Sequence, residues 1–161
     1  MLYDRRSFAC LLAASSLAYA SPSWAAKPCR VTKVLFVCQM GSVKSAIARE
    51  QLRRIVKQRA LPIEVQSRGL TPANDITREL ASHLRAEGIN PLADPLRRFA
   101  PADAAHADIT IAFDDAAKAP GLERARLWHS PSWTDDYAHA KTIMDWHIGE
   151  LADELSRQPC P

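Results

Sequence analysis

Cys38, Gly41, Ser42, Lys44 and Ser45 stand close together in the stretch "VLFVCQMGSVKSAIARE", Val34 to Glu50. An ionised sulfur is a strong nucleophile, hydroxyls and main-chain N–H groups bind oxyanions, and an ammonium neutralises them. A loop that leaves a strand and enters a helix turns successive N–H groups toward one point and adds the partial positive charge of the helix end. A cysteine at the lip of such a cradle is held as thiolate by the same field. The chemistry implied is attack by sulfur on a centre held as an oxyanion. The plainer reading of Cys38 as a small buried hydrophobe at a strand end leaves the Gly41, Ser42, Lys44 and Ser45 cluster unexplained. A nucleotide-binding Gly-x4-Gly-Lys-Ser/Thr loop is excluded, because position 39 is Gln.

The flanks supply the strand and the helix. "KVLFV" at Lys33 to Val37 is a short continuous apolar run, as in a buried parallel strand. From Ser45 to about Arg59, Ala48, Leu52, Ile55 and Val56 recur at helical spacing, with Arg49, Arg53, Arg54 and Lys57 read as a solvated face. Further strands are expected at Ile63 to Ser67, Asp108 to Phe113 and Arg126 to His129. A helix marked by Ile76, Leu80 and Leu84 ends at Gly88, a helical turn lies around Asp103 to Ala107, and the last helix runs from about Tyr137 to Ser156. Strands alternating with helices predict one α/β domain: a four-stranded parallel sheet with helices on both faces. Ligands bind such sheets beyond the carboxyl ends of the strands, where the loops after the first and fourth strands lie.

Cys38-x5-Lys44-Ser45 between a strand and a helix resembles the Cys-x5-Arg-Ser signature of the low-molecular-weight protein tyrosine phosphatase family. "SRG" at Ser67 to Gly69, "EGI" at Glu87 to Ile89, "ADITIAFD" at Ala107 to Asp114 and "DDY" at Asp135 to Tyr137 resemble later pieces of that family in the same order. The resemblance implies a phosphomonoesterase, with Cys38 as nucleophile, Ser45 as its hydrogen-bond partner and a cysteinyl-phosphate intermediate. The amides of Gln39, Met40, Gly41, Ser42, Val43 and Lys44 would bind the phosphoryl oxygens. Asp135 or Asp136 would be the general acid, and Tyr137, with Trp133, would wall the pocket. No metal or cofactor is implied. The expected partner is a phosphorylated substrate, a phosphotyrosine protein or a small aryl phosphate.

Two departures matter. Lys44 stands where the family has arginine, and a point charge cannot grip two oxygens as a guanidinium fork does. Met40 and Gly41 replace the family's Gly-Asn pair, which moves the permissive position by one. The alternative reading is therefore a catalytically impaired module that holds phosphate or a similar oxyanion. Arsenate reductase relatives share the fold and the loop but relay oxidation through two further cysteines, and residues 70 to 120 hold none; arsenate still mimics phosphate, so an arsenate reductase is kept as the lesser alternative.

The remaining features bound the setting. The chain has 161 residues, 47% hydrophobic and 24% charged, enough for one core. Its net charge of +3 is too small to argue for nucleic acid. Residues 1–26 have the layout of an export signal: the twin-arginine-like Arg5-Arg6, an apolar run from Phe8 to Ala20, Pro22, and small residues at Ser23, Ala25 and Ala26. That run is shorter than the roughly 20 residues that span a bilayer, so removal rather than anchoring is expected, leaving residues 27–161 as a periplasmic domain. Cleavage leaves Cys29, Cys38 and Cys160. In an alternating parallel fold, the start of the first strand and the end of the last helix share the face opposite the site. A Cys29–Cys160 disulfide with Cys38 free is therefore expected. His83, His106, His129, His139 and His147 have no metal-ligand spacing.

Overall fold

The computed structural model describes residues 30–157, so residues 1–26, expected to be an export signal, and Cys29 and Cys160 lie outside the described residues. Strands β1 (Thr32–Cys38), β2 (Ile63–Gly69), β3 (Ile109–Phe113) and β4 (Arg126–Trp128) form one parallel sheet in the order β2-β1-β3-β4. Helices α1 (Lys44–Arg59), α2 (Arg78–Ala86), α3 (Pro101–Ala105) and α4 (Tyr137–Ser156) cover it, and a 3-10 turn at Asp114–Lys118 follows β3. The four-stranded parallel α/β domain expected from the sequence is the architecture observed.

Central β1 is buried on both sides, which is why it reads as an unbroken apolar run. Val34, Phe36 and Cys38 pack with the buried residues of α1, α2 and α4, while Leu35 and Val37 pack with Ala112 and Leu122 on the other face. The two covers are unequal. Among the described residues the second face has only the five-residue α3, the 3-10 turn and irregular chain contributing Phe99, Ala104, Ala117 and Ala125. Phe36, Phe113 and Trp128 form an aromatic cluster with centroids 5.7–6.3 Å apart, which fixes the carboxyl ends of β3 and β4 relative to β1.

One expectation is corrected. Arg49 is not on a solvated face: it is 1% exposed and among the most deeply buried large side chains. The first half of α1 is enclosed nearly all round, with Ser45, Ala46, Ile47, Ala48, Arg49, Gln51 and Leu52 all buried, so amphipathic spacing applies only to its second half. The buried guanidinium is satisfied by Glu50 Oε1, Ser67 Oγ and the Pro91 carbonyl, each at 2.8 Å, with Asp94 at 3.7 Å. It ties α1 to the end of β2 and to the loop after α2. Arg54 and Lys57 are exposed as expected.

From β1 the chain crosses to β2 on one side and later to β3 on the other, so the strand order reverses at β1. The crevice produced by that reversal opens at the carboxyl ends of β1 and β3. Cys38 and Asp114 stand at those two ends.

Candidate active site

The loop from Gln39 to Val43 is shaped by backbone contacts to the chain leaving β2. The carbonyls of Cys38, Gln39 and Met40 accept N–H groups of Leu70, Thr71 and Ala73 at 2.9–3.1 Å. With these carbonyls engaged by the chain leaving β2, the Gly41 N–H points at the Cys38 sulfur. Among the described residues the amides of Met40, Ser42 and Val43 take no protein acceptor, and Val43, the N-cap of α1, provides no side-chain cap. These orphan donors at a helix start are what an oxyanion site needs. Gly41 has φ +76°, and a Cβ there would stand 2.9 Å from the Gly69 nitrogen. A Cβ on Gly69 would in turn meet the Met40 carbonyl carbon at 2.7 Å, so the two glycines interlock β2 with the loop.

Cys38 sulfur lies 3.1 Å from Ser45 Oγ and accepts the Gly41 N–H at 3.2 Å. Ser45 Oγ also lies 3.3 Å from the Arg68 carbonyl. Ser42, fully buried, accepts the Asp75 N–H at 3.1 Å, which draws the start of the segment before α2 against the loop. Above the sulfur opens a cleft of about 450 Å3, lined by the Cys38–Met40 segment, Val43, Lys44, Asp75, Phe113 to Ala116, and Ser132 to Thr134.

Lys44 does not stand alone in the cleft. Its Nζ donates to Asp114 Oδ2 at 2.5 Å and to the Ser130 carbonyl at 2.6 Å, binding the Cys loop to the ends of β3 and β4. Asp114 also accepts the Ser130 N–H at 3.3 Å and has φ +52°, a left-handed conformation unusual for a residue with a side chain. Asp115, beside it, is exposed and held below the usual carboxylate range by a hydrogen bond from Lys118.

The sequence-predicted residues therefore divide. Cys38, Gln39, Met40, Val43 and Lys44 line the cleft, and Gly41, Ser42 and Ser45 are buried behind it. Asp135, Asp136 and Tyr137 do not line it. Asp136 is the N-cap of α4, accepting the His139 N–H at 3.1 Å. Asp135 is exposed, with its own N–H donated to Ser132 Oγ at 3.3 Å. Tyr137 turns toward α2: its hydroxyl donates to Glu87 Oε1 at 2.5 Å and its ring stacks on His83 at 4.5 Å. Burial, with the Glu87 hydrogen bond second, pushes the Tyr137 phenol well above its ordinary value. Trp133, 2% exposed, is the aromatic of this loop that lines the cleft, with Phe113 from the end of β3. Sequence reasoning assigned no role to Asp114, Asp75 or Ser130. Asp114 closes the strand segment "ADITIAFD", and its place at a strand's carboxyl end was the available signal.

No curated protein sequence matches the chain significantly. Solved structures do match in fold. Bacillus subtilis YfkJ superposes with a TM-score of 0.65 at 19% identity, covering 80% of this chain and 98% of the other. A low molecular weight protein tyrosine phosphatase from Streptococcus pyogenes gives 0.64 at 20% identity, covering 77% and 93%. A thioredoxin-dependent arsenate reductase from Corynebacterium glutamicum gives 0.56 at 22% identity, covering 78% and 62%. The sequence pattern described as low molecular weight phosphotyrosine protein phosphatase matches residues 33–151, from the first residues of β1 to the last turns of α4. The chain belongs to the low molecular weight phosphotyrosine protein phosphatase family.

Proposed function

We propose that this chain hydrolyses phosphomonoesters, aryl phosphates or phosphotyrosine among them, through a cysteinyl-phosphate intermediate on Cys38. The observation that carries the reading is the pair of contacts from Gly41 N–H and Ser45 Oγ to a sulfur that lines a cleft beside a loop whose Met40, Ser42 and Val43 amides take no protein acceptor among the described residues. That arrangement solvates a thiolate and presents it to a bound phosphoryl group. As the sulfur–phosphorus bond forms and the ester P–O bond breaks, a carboxylic acid passes its proton to the departing oxygen. Water then attacks phosphorus, returns a proton to that carboxylate and frees the sulfur. Asp136 is committed to the N-terminus of α4, so Asp135, exposed on the same loop one residue past Thr134 of the cleft wall, is the acid in this reading.

A second reading has its own support. Lys44 gives two of its three donors to Asp114 and Ser130, which fits a site that holds an oxyanion with reduced turnover. Assay of the reduced protein on an aryl phosphate separates the two. Hydrolysis by the wild type, none by Cys38→Ser, and a phosphocysteine at Cys38 in acid-quenched protein are expected. Binding of phosphate or vanadate without any turnover would leave the module.

The proposed setting is the periplasm after removal of residues 1–26, with a Cys29–Cys160 disulfide. It is supported by the Arg5-Arg6 and apolar layout, and by the pairing of Arg126 at the start of β4 with Glu154 near the end of α4, which puts that helix end at the amino edge of the sheet. Peptide mapping without reduction is expected to find Cys38 unpaired; Cys38 bridged to either partner would remove this arrangement.

A further inference from the structure

We infer that Tyr137, held by Glu87, is a positioning residue that sets where the acid loop places Asp135, so that α2 controls proton donation at the cleft; this rests on the phosphomonoesterase reading above. The loop between β4 and α4 is tied at three points. Its start is fixed through Ser130, which donates N–H to Asp114 and accepts Lys44 Nζ. Its middle is fixed by Trp133, buried in the core. Its end is fixed by Tyr137, the first residue of α4. Asp135 lies between the second and third ties. Trp133 and Tyr137 lie edge to face, centroids 5.7 Å apart at 74°, and flank the two aspartates along the chain.

Among the described residues the hydrogen bond to the tyrosine hydroxyl and the stack on its ring face both come from α2. Glu87, the C-cap of α2, accepts its hydroxyl at 2.5 Å, and His83, one turn earlier, stacks on its face at an interplanar angle of 22°. Lys141, one turn along α4, lies 3.6 Å from Glu87 Oε2 and binds Asp145, whose other oxygen accepts Gln51 Nε2 of α1 at 2.8 Å. Glu87 is thus held by a cation as it holds the tyrosine, and three helices meet at this one clamp. The same contacts explain why the aromatic of "DDY" is not a wall of the cleft: its hydroxyl is spent on α2, and Trp133 takes the wall. Proton donation demands hydrogen-bond reach to the departing oxygen, and a displacement of about 1 Å costs on the order of 100-fold. A tyrosine that fixes the loop end therefore acts on catalysis through Asp135 without touching substrate.

The test is the dependence of kcat/KM on the leaving group, from nitrophenyl to unsubstituted phenyl phosphate, for wild type, Asp135→Asn, Tyr137→Phe, Glu87→Ala and Glu87→Gln. A nitrophenolate departs without a proton, whereas a phenolate needs one, so a misplaced acid hurts only the poorer leaving groups. Tyr137→Phe and Glu87→Ala are expected to lose roughly 10- to 100-fold on phenyl phosphate and about 2-fold on nitrophenyl phosphate, following the pattern of Asp135→Asn. Glu87→Gln, which keeps an acceptor oxygen, is expected to restore most of the loss. Equal losses on every ester would make the clamp a stability element only and overturn the inference, as would no loss at all. If wild type turns over but Asp135→Asn leaves the dependence unchanged, the acid assignment falls and the inference with it; a wild type silent on every ester instead sinks the phosphomonoesterase reading itself.

Discussion

At the scale of single residues, the exchange of arginine for Lys44 becomes intelligible through Asp114. An ammonium offers three donors from one point, and two are already directed at Asp114 Oδ2 and the Ser130 carbonyl. A guanidinium offers five in a fork and can hold Asp114 while still reaching a phosphoryl oxygen. Lys44→Arg is therefore expected to raise kcat on an aryl phosphate about 10-fold, the worth of one charge-assisted hydrogen bond of about 1.5 kcal/mol made in the transition state. A lower kcat would show that the Ser130 tie outweighs the fork. Asp114→Asn is the complementary change. Asparagine tolerates the left-handed backbone at this position, so only the charge is removed. With Lys44 no longer neutralised, vanadate is expected to bind several-fold more tightly, read as a lower inhibition constant; weaker binding would mean that Asp114 is needed to keep the loop in place.

Elements decide whether the loop exists at all. The interlock of Gly41 and Gly69 leaves no side chain free to yield: the nearest atoms to a Cβ at Gly69 are the backbone of Met40 and Gly41, all within 2.8 Å. Gly69→Ala is expected to push the loop off β2, lower Tm by several degrees and cut turnover by at least about 100-fold. Gly149, inside α4 with nothing within 4 Å of a Cβ, is the control: Gly149→Ala is expected to stabilise by about 1 kcal/mol at unchanged activity. What was legible in the sequence follows the same division. β1, the cysteine loop and α4 could be read because local apolar pattern and turn chemistry fix them. Arg49 could not, because a 3.6-residue stripe says nothing about the first half of α1, which is enclosed nearly all round. The tie of Asp114 to Lys44 and the inward turn of Tyr137 could not either. Both are set by partners 70 and 50 residues away along the chain, Lys44 and Glu87, which only the folded arrangement brings together.

For the molecule as a whole, the same compactness that closes α4 over the sheet makes stability depend on pH. His147 on α4 lies flat on Trp128 of β4, centroids 4.5 Å apart at 13°, and burial holds its pKa below the usual histidine value. The folded chain then binds a proton on this residue less readily than the unfolded chain does. Its contribution is full above the unfolded value and is lost as pH falls through the interval between the unfolded and folded values. Asp94 and Glu154 act in the same sense lower on the scale. Asp94 is held down chiefly by its hydrogen bond from Arg53, and Glu154 by its hydrogen bond from Arg126, so each stabilises above its unfolded value and is lost as pH falls through its lowered folded value. Tm is therefore expected to fall in two stages on acidification, a shallow one just below neutrality and a steeper one in the carboxylate range. His147→Phe keeps an aromatic ring against Trp128 but cannot take a proton. It should erase the first stage and leave the second, measured by thermal melts across the acid range. A wild-type melt flat until the carboxylates titrate, or a His147→Phe variant that keeps the shallow stage, would place the acid sensitivity elsewhere than in the contact between α4 and β4.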